Sequence, residues 1–131
     1  MPRKLLIILL IIALVFELVL TGMCFFTKEA MLNKLGAVLN SDTDFLGYII
    51  AWFCLFVSLI CGLALWHVVK NNSGYVPLCY ILGLWWIGIG LGIYIVFKKP
   101  DNLFTDSLKG LLLISLTWWN AKTRKNVVYK S

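Results

Sequence analysis

The sequence predicts an all-α integral membrane protein, a four-helix bundle with a short interfacial amphipathic helix between its first and second spans. The 131-residue chain is 61% hydrophobic and only 14% charged, whereas a soluble domain carries about a quarter charged residues. Its apolar residues also form continuous runs. Such runs are typical of helices that cross the hydrocarbon core, and not of outer-membrane strands, in which polar and apolar residues alternate.

Four segments are predicted to span the membrane, within a single domain that covers residues 1–131. A helix needs about 20 mainly apolar residues to cross a hydrocarbon core about 30 Å thick. The predicted spans cover residues 5–26, 45–69, 76–97 and 103–120. The fourth span is the weakest, because its apolar run is short and contains a lysine.

The connection between the first two spans predicts a short helix that lies on the membrane surface. Its apolar residues recur with helical spacing and share one face, opposite a charged face. These residues are Met31, Leu32, Leu35, Val38 and Leu39. Thr27 is the expected N-cap, since a threonine side chain can accept a hydrogen bond from a free backbone amide in the first turn.

Residues 16–36, FELVLTGMCFFTKEAMLNKLG, link the first span to this amphipathic segment. With the layout of four short spans, this stretch resembles small four-helix bacterial membrane proteins of the DoxX and DUF4345 type. Some proteins of this type look like accessory subunits of quinone-linked oxidoreductases. The resemblance implies a small accessory protein of the bacterial inner membrane, and it assigns no site residue.

The distribution of lysine and arginine predicts a multi-pass protein of the cell membrane with both termini in the cytoplasm. In this orientation the outer side holds five of the twelve basic residues, and residues 27–44 and 98–106 are outside. The seven cytoplasmic ones are Arg3, Lys4, Lys70, Lys122, Arg124, Lys125 and Lys130. Basic residues that flank spans mark the cytoplasmic side and contact lipid headgroups. They account for the net charge of +6, so we expect membrane lipids as partners and no nucleic acid.

Glu17 interrupts the first span near the middle of the membrane. An ionised carboxylate at this depth costs at least about 2.5 kcal/mol. We therefore expect Glu17 to point into the bundle, protonated unless water or a cation reaches it, with Thr21 one turn away as a local hydrogen-bond partner. Two interpretations stay open: a site for a proton, a cation or a ligand headgroup, and a hydrogen bond to a neighbouring helix that fixes packing.

Lys109 is the other ionisable residue within a predicted span. It lies about five residues from the outer end of its span, whereas Glu17 lies about nine from its own. Side chains lean toward the N-terminus of their helix, so the two would lean apart in antiparallel helices. We therefore expect Lys109 to reach the interface or to pair with Asp106, and not to pair with Glu17.

Two tryptophan pairs receive different interpretations. Trp85 and Trp86 lie close to mid-span, where an interfacial belt explains them poorly, and they are candidates for the lining of a lipid-like ligand site. Trp118 and Trp119 lie near the inner boundary and are expected to form a belt. With Glu17, Thr21 and Lys109, the first pair completes the candidate ligand or proton site.

Small residues predict close packing between the second and third spans. Glycine or serine at a spacing of four lets helix backbones approach closely in lipid, where van der Waals contact drives association. The candidate packing residues are Gly83, Gly88 and Gly92 in the third span and Ser58 and Gly62 in the second. An interface between copies of the chain and space for a ligand are the alternatives.

The sequence predicts no metal site, no cofactor and no catalytic group. The one histidine, His67, has no acidic neighbour to share a metal, and the four cysteines form no C-x-x-C pair. We therefore expect a non-enzymatic module that binds a lipid-like ligand or a partner membrane protein. The partner is either a different protein or a second copy of this chain. The alternative is an oligomeric transport or channel component that moves protons or a small ion past Glu17.

Overall fold

The computed structural model describes residues 1–128, and all of the secondary structure in this range is helical. The helices are α1 (Pro2–Phe26), α2 (Lys28–Leu35), α3 (Ser41–Val69), α4 (Tyr75–Phe97) and α5 (Pro100–Val128). The all-α prediction is therefore confirmed, and each predicted span lies within one long helix. Lys130 and the side chains of Leu35 and Lys125, used in the predictions above, lie outside the described part.

Three of the long helices in the described range, α1, α3 and α4, are long and apolar enough to cross a membrane. α5 is as long as α3 but is not among them. Asp106, Lys109 and Asn120 lower the hydropathy of its central part. The chain thus has the helices of a membrane protein, with three clear candidate spans and a fourth long helix of mixed polarity.

The four long helices contact one another in a closed order: α1 packs on α3, α3 on α4, α4 on α5 and α5 on α1. The contact between α4 and α5 is the most extensive. Each helix contributes a narrow stripe of buried side chains, as expected where the opposite faces lie against lipid. The buried apolar core includes Leu6, Leu10, Ala13, Val57, Cys61, Ala64, Cys79, Leu82, Trp86 and Leu113.

Side-chain hydrogen bonds fix which helix ends meet. Arg3 donates to the carbonyl oxygens of Val68 and Val69, at 3.2 and 2.8 Å, so the start of α1 lies beside the end of α3. Asn120 donates to the hydroxyl of Tyr75 at 2.8 Å, which sets the second half of α5 beside the start of α4. We call this part of the molecule the basic end, defined by Arg3, Lys4, Lys70, Lys122 and Arg124.

The short helix α2 ends earlier than its apolar pattern predicts. Gly36 adopts a left-handed conformation, with φ of 84°, and terminates the helix after Leu35. Val38 and Leu39 therefore lie beyond the helix, and both are exposed. The prediction that they continue one apolar helical face was wrong, because the glycine ends the helix before their turn is reached.

The residues that precede α2 and α3 cap their helices differently. Thr27 occupies the predicted N-cap position of α2, but its hydroxyl donates to the carbonyl of Met23 in α1 and does not cap α2. Asn40 caps α3 through its side chain, which accepts from the amides of Asp42 and Thr43 at 3.0 Å. This cap starts α3 four residues before the predicted span, because it satisfies amides that the helix start leaves free.

A polar contact holds α2 against the start of α3. The ammonium of Lys28 donates to the carboxylate of Asp44 and lies 3.5 Å from the centre of the Tyr48 ring. The hydrogen bond to Asp44 raises the pKa of Lys28. The side-chain stem of Lys28 also passes directly over Gly47, so close that a Cβ there would lie 2.9 Å from Lys28 Cδ.

The closest glycine-mediated packing joins α4 to α5, and not α3 to α4. A Cβ on Gly83 would lie 2.5 Å from Ile114 Cγ1 and 3.0 Å from the Gly110 carbonyl oxygen. A Cβ on Gly90 would lie 2.5 Å from Ser107 Oγ. Side-chain carbons in proteins essentially never approach other atoms below 3.0 Å, so these glycines are what allows the two backbones to approach. Gly83 is a packing residue as predicted, with α5 as its partner.

The other predicted packing glycines have no close neighbour. A Cβ added at Gly62, Gly88 or Gly92 would meet nothing within 4 Å. Ser58 is buried, but its hydroxyl donates to the Cys54 carbonyl of its own helix. The G-x-x-x-G prediction was wrong because α5 covers the opposite face of α4. Small residues at a spacing of four leave one helix face without bulky side chains. The spacing does not show whether a neighbouring helix covers that face.

Candidate functional site around Glu17

Glu17 points into the protein, as predicted, and is only 6% exposed. Its Oε1 atom accepts a hydrogen bond from the indole Nε1 of Trp86, at 2.8 Å, and another from the ammonium of Lys109, at 3.2 Å. One carboxylate oxygen of α1 thus joins α4 and α5. Hydrogen bonds to an ionised group in a poorly solvated interior are stronger than neutral ones.

The pairing of Lys109 with Glu17 contradicts the expectation from the sequence. Lys109 Nζ also lies 3.1 Å from Asp106 Oδ1, so the predicted pairing with Asp106 is confirmed and the exclusion of Glu17 was wrong. The reason is the start of α5 at Pro100. Lys109 follows Pro100 by nine residues, and Glu17 precedes Phe26 by nine. The two side chains therefore lie at similar depth, and the long stem of the lysine overcomes the unfavourable lean.

Aromatic rings enclose the ammonium of Lys109. Its Nζ lies 4.3 Å from the centre of the Trp86 ring and 5.4 Å from that of Phe16. A cation over an aromatic face is attracted by the ring quadrupole, and more strongly when water is excluded. The Lys109 side chain is only 15% exposed, so these rings replace part of the hydration that it loses.

The cluster of Glu17, Lys109 and Asp106 holds two carboxylates and one ammonium. Asp106 also accepts a weak hydrogen bond from the amide of Asn102, at 3.4 Å. The sequence predicts a protonated Glu17 unless water or a cation reaches it, and the ammonium of Lys109 lies 3.2 Å from its Oε1 atom. When all three groups are ionised, the two carboxylates and one ammonium leave one negative charge without a partner cation.

The remaining candidate residues take different positions. The hydroxyl of Thr21 donates to the backbone carbonyl of Glu17 at 2.7 Å, so it supports the helix and is not bonded to the carboxylate. Trp85 lies away from the cluster and stacks on Phe53 of α3, with ring centres 5.7 Å apart. Of the predicted site, the structure brings together Glu17, Trp86 and Lys109, and it leaves Trp85 out.

A second feature is a shallow, open groove between α4 and α5, with a volume of about 590 Å³, which we call the α4–α5 groove. It is lined by Tyr80, Ile114, Ser115, Trp118 and Trp119. No pattern in the sequence predicts it, and the position of the two tryptophans near the inner boundary predicts a belt. Tyr80 stands on another helix, far away in the sequence, so only the pairing of α4 with α5 brings it beside them. The groove had no local signal in the sequence.

Within the described residues, no group of three or more histidine, cysteine or acidic side chains is arranged to hold a metal ion. The four cysteines are free thiols, and Cys24, Cys61 and Cys79 are buried as small packing residues. The buried ion pairs of the described residues are those of the Glu17 cluster. Comparison of the chain with protein-family models, with curated proteins and with solved structures finds no match.

Proposed function

We propose that this chain is a non-enzymatic membrane module with four spans, which binds a lipid-like ligand or a partner membrane protein as an accessory subunit does. The observation that favours this function over transport or catalysis is the engagement of Glu17. Its carboxylate is already held by Trp86 and Lys109 from two other helices. A carboxylate with two such partners is better suited to holding helices together than to acting as a free acid in a reaction.

The polar residues of α5 support a fourth span. Its 29 residues extend about 43 Å at 1.5 Å per residue, which exceeds the hydrocarbon thickness of about 30 Å. Asp106 and Lys109 face the cluster with Glu17, and Asn120 is buried against Tyr75. Ionisable residues within a membrane are expected to face the interior of the protein and to pair there.

The charge distribution supports cytoplasmic termini. All five described basic residues of the basic end lie where α1 starts and where α5 approaches its end, and the six acidic residues of the chain lie elsewhere. An excess of lysine and arginine next to spans favours the cytoplasmic side. On this proposal the opposite end, with α2, is outside the cell.

Ligand binding is proposed for the α4–α5 groove. Rings with a polar edge, such as those of Tyr80, Trp118 and Trp119, suit an amphipathic molecule at the boundary between lipid and water. The two tryptophans are 57% and 47% exposed, so their faces are available to a ligand or to a partner helix. The Glu17 cluster holds α4 and α5 in the relative position that forms the groove.

Native mass spectrometry of the purified chain tests the proposal. We expect lipid molecules to stay bound, and Ser115→Phe, which fills the groove, to reduce their number. Leu111→Phe is the matched control, because Leu111 is exposed on the same helix outside the groove lining. Equal lipid retention by both variants and the unchanged chain would refute ligand binding in the groove.

The alternative function is the movement of protons or a small cation past Glu17, in an oligomeric transport component. One observation favours it: the cluster has two carboxylates for one ammonium, and an uncompensated charge in a poorly solvated site attracts a proton or a cation. Vesicles that contain the chain and a pH-sensitive dye would report proton flux. Flux that Glu17→Gln abolishes, without loss of the fold, would establish this alternative over the preferred function.

A further inference from the structure

The α4–α5 groove lies at the basic end of the molecule. Trp118 precedes Lys122 by one helical turn, and the ammonium of Lys122 lies 4.9 Å from the centre of the Trp118 ring. Asn120, between them in the sequence, bonds to Tyr75 at the start of α4. The open groove therefore has an aromatic and apolar lining, and a positive charge lies beside it, over the ring of Trp118.

The charge of Lys122 is available to a ligand, whereas the two described arginines at this end are engaged by backbone carbonyls. Arg3 bonds to carbonyl oxygens at the end of α3, and Arg124 donates to the carbonyl of Asn71 at 2.6 Å. Lys122 has no carboxylate within ion-pair distance among the described residues, and it is exposed. The acidic residues of the described chain lie away from the basic end, so no described carboxylate there offsets this charge.

We propose that the α4–α5 groove binds an anionic phospholipid. In this arrangement Lys122 contacts the phosphate. The level of the glycerol is that of three polar groups, the ring edges of Tyr80 and Trp119 and the hydroxyl of Ser115. An acyl chain lies along Ile114. The proposal rests on the proposed function and narrows its lipid-like ligand to one headgroup class. Basic groups between spanning helices on the cytoplasmic side are suited to anionic headgroups.

Charge complementarity favours a lipid over a second copy of the chain. Copies in one membrane share their orientation, so the basic end of one would meet the basic end of the other at the same depth. Like charges that face each other oppose association. A zwitterionic lipid balances its phosphate with its own amine, so Lys122 distinguishes it from an anionic lipid.

Tryptophan quenching by brominated lipids tests the proposal on the full chain. The chain is placed in phosphatidylcholine vesicles that contain either brominated phosphatidylglycerol or brominated phosphatidylcholine. Subtracting the signal of a variant with both Trp118→Phe and Trp119→Phe isolates the groove tryptophans. We expect brominated phosphatidylglycerol to quench them at an about fivefold lower mole fraction than brominated phosphatidylcholine. This factor corresponds to about 1 kcal/mol for one basic residue near the membrane.

Two lysine variants separate the groove from general surface charge. Lys122→Gln should remove the fivefold preference. Lys70→Gln removes another exposed charge at the same end of the molecule, one with no described contact to a residue of the groove, and should leave the preference in place. An equal effect of the two variants would overturn the groove site in favour of diffuse attraction to the surface.

The remaining outcomes separate this inference from the proposed function. Equal quenching of the groove tryptophans by both brominated lipids would overturn the anionic preference and leave a lipid-like ligand in place. Quenching of these tryptophans by neither lipid would overturn both proposals for the groove, because a lipid ligand would then be excluded from it.

Discussion

Replacing Lys109 with methionine removes the ammonium from the Glu17 cluster while keeping most of the stem that packs on Trp86. Glu17 then keeps its hydrogen bond from Trp86 but loses the cation 3.2 Å away. The attraction at this distance is about 5 kcal/mol at an effective dielectric constant of about 20, before desolvation is counted. Removing one partner of a buried pair typically costs about 3–5 kcal/mol, and we expect a loss of about 3 kcal/mol.

Glu17→Gln should cost less, about 1 kcal/mol, because the amide oxygen still accepts from Trp86 and Asp106 still balances Lys109. The double variant removes both charges of the Glu17–Lys109 pair, and only Asp106 is left without its ammonium. We expect a total loss of about 2 kcal/mol. The coupling energy between the two positions is then about 2 kcal/mol, well above the about 0.5 kcal/mol within which independent sites add.

The free energy of unfolding in detergent micelles, followed by circular dichroism, measures the three variants. Lys98→Met serves as the control, because Lys98 is exposed and is in none of the ion pairs of the described residues. Its ammonium lies 6.0 Å from the Tyr94 ring centre, at the limit of an attraction to the ring. A change within about 0.5 kcal/mol is expected there. If the effects of Glu17→Gln and Lys109→Met simply add, the two residues do not act as a pair and the account of the cluster fails.

Three further predictions concern packing, topology and the basic end. Gly83→Leu should lower the free energy of unfolding in detergent by about 1–3 kcal/mol, because overpacking separates α4 from α5. Gly88→Leu, in open space, should leave this free energy nearly unchanged. A larger loss for Gly88→Leu than for Gly83→Leu would refute the packing of α5 on the face of Gly83. A cysteine at Ser131, in a chain without other cysteines, should react with a membrane-impermeant reagent only after the membrane is opened; labelling from outside would show that α5 does not span. Asn120→Ala leaves the buried Tyr75 hydroxyl without its donor and should cost about 1–3 kcal/mol of unfolding free energy, whereas no measurable loss would show that the hydroxyl is satisfied elsewhere.

The sequence by itself determined the all-helical class of the chain and the approximate extent of its helices. Continuous apolar runs longer than a bilayer is thick have few alternatives to helices, because every backbone amide and carbonyl must be bonded within the segment. The same reasoning determined that Glu17 points inward, since lipid cannot solvate a carboxylate. These inferences depend on each segment alone, and the structure agrees with them.

Local signals determined the helix ends less well. The pattern of Met31 to Leu39 has helical spacing throughout, yet Gly36 stops the helix within it. The start of α5 at Pro100 was also missed. That difference of a few residues moved Lys109 to the depth of Glu17 and reversed the inference about their pairing. An error of one helical turn is small for a span and large for a contact between two side chains.

Only the tertiary structure decided which faces of the helices meet. Gly83 and Gly88 are equally small, but α5 covers the face of Gly83 and leaves that of Gly88 open. In the same way Trp86 donates to Glu17 while its neighbour Trp85 stacks on Phe53. Adjacent residues on a helix point about 100° apart, and the rotation of a nearly uniformly apolar helix depends on polar contacts and close packing with distant segments. Such contacts have no periodic signal in the sequence.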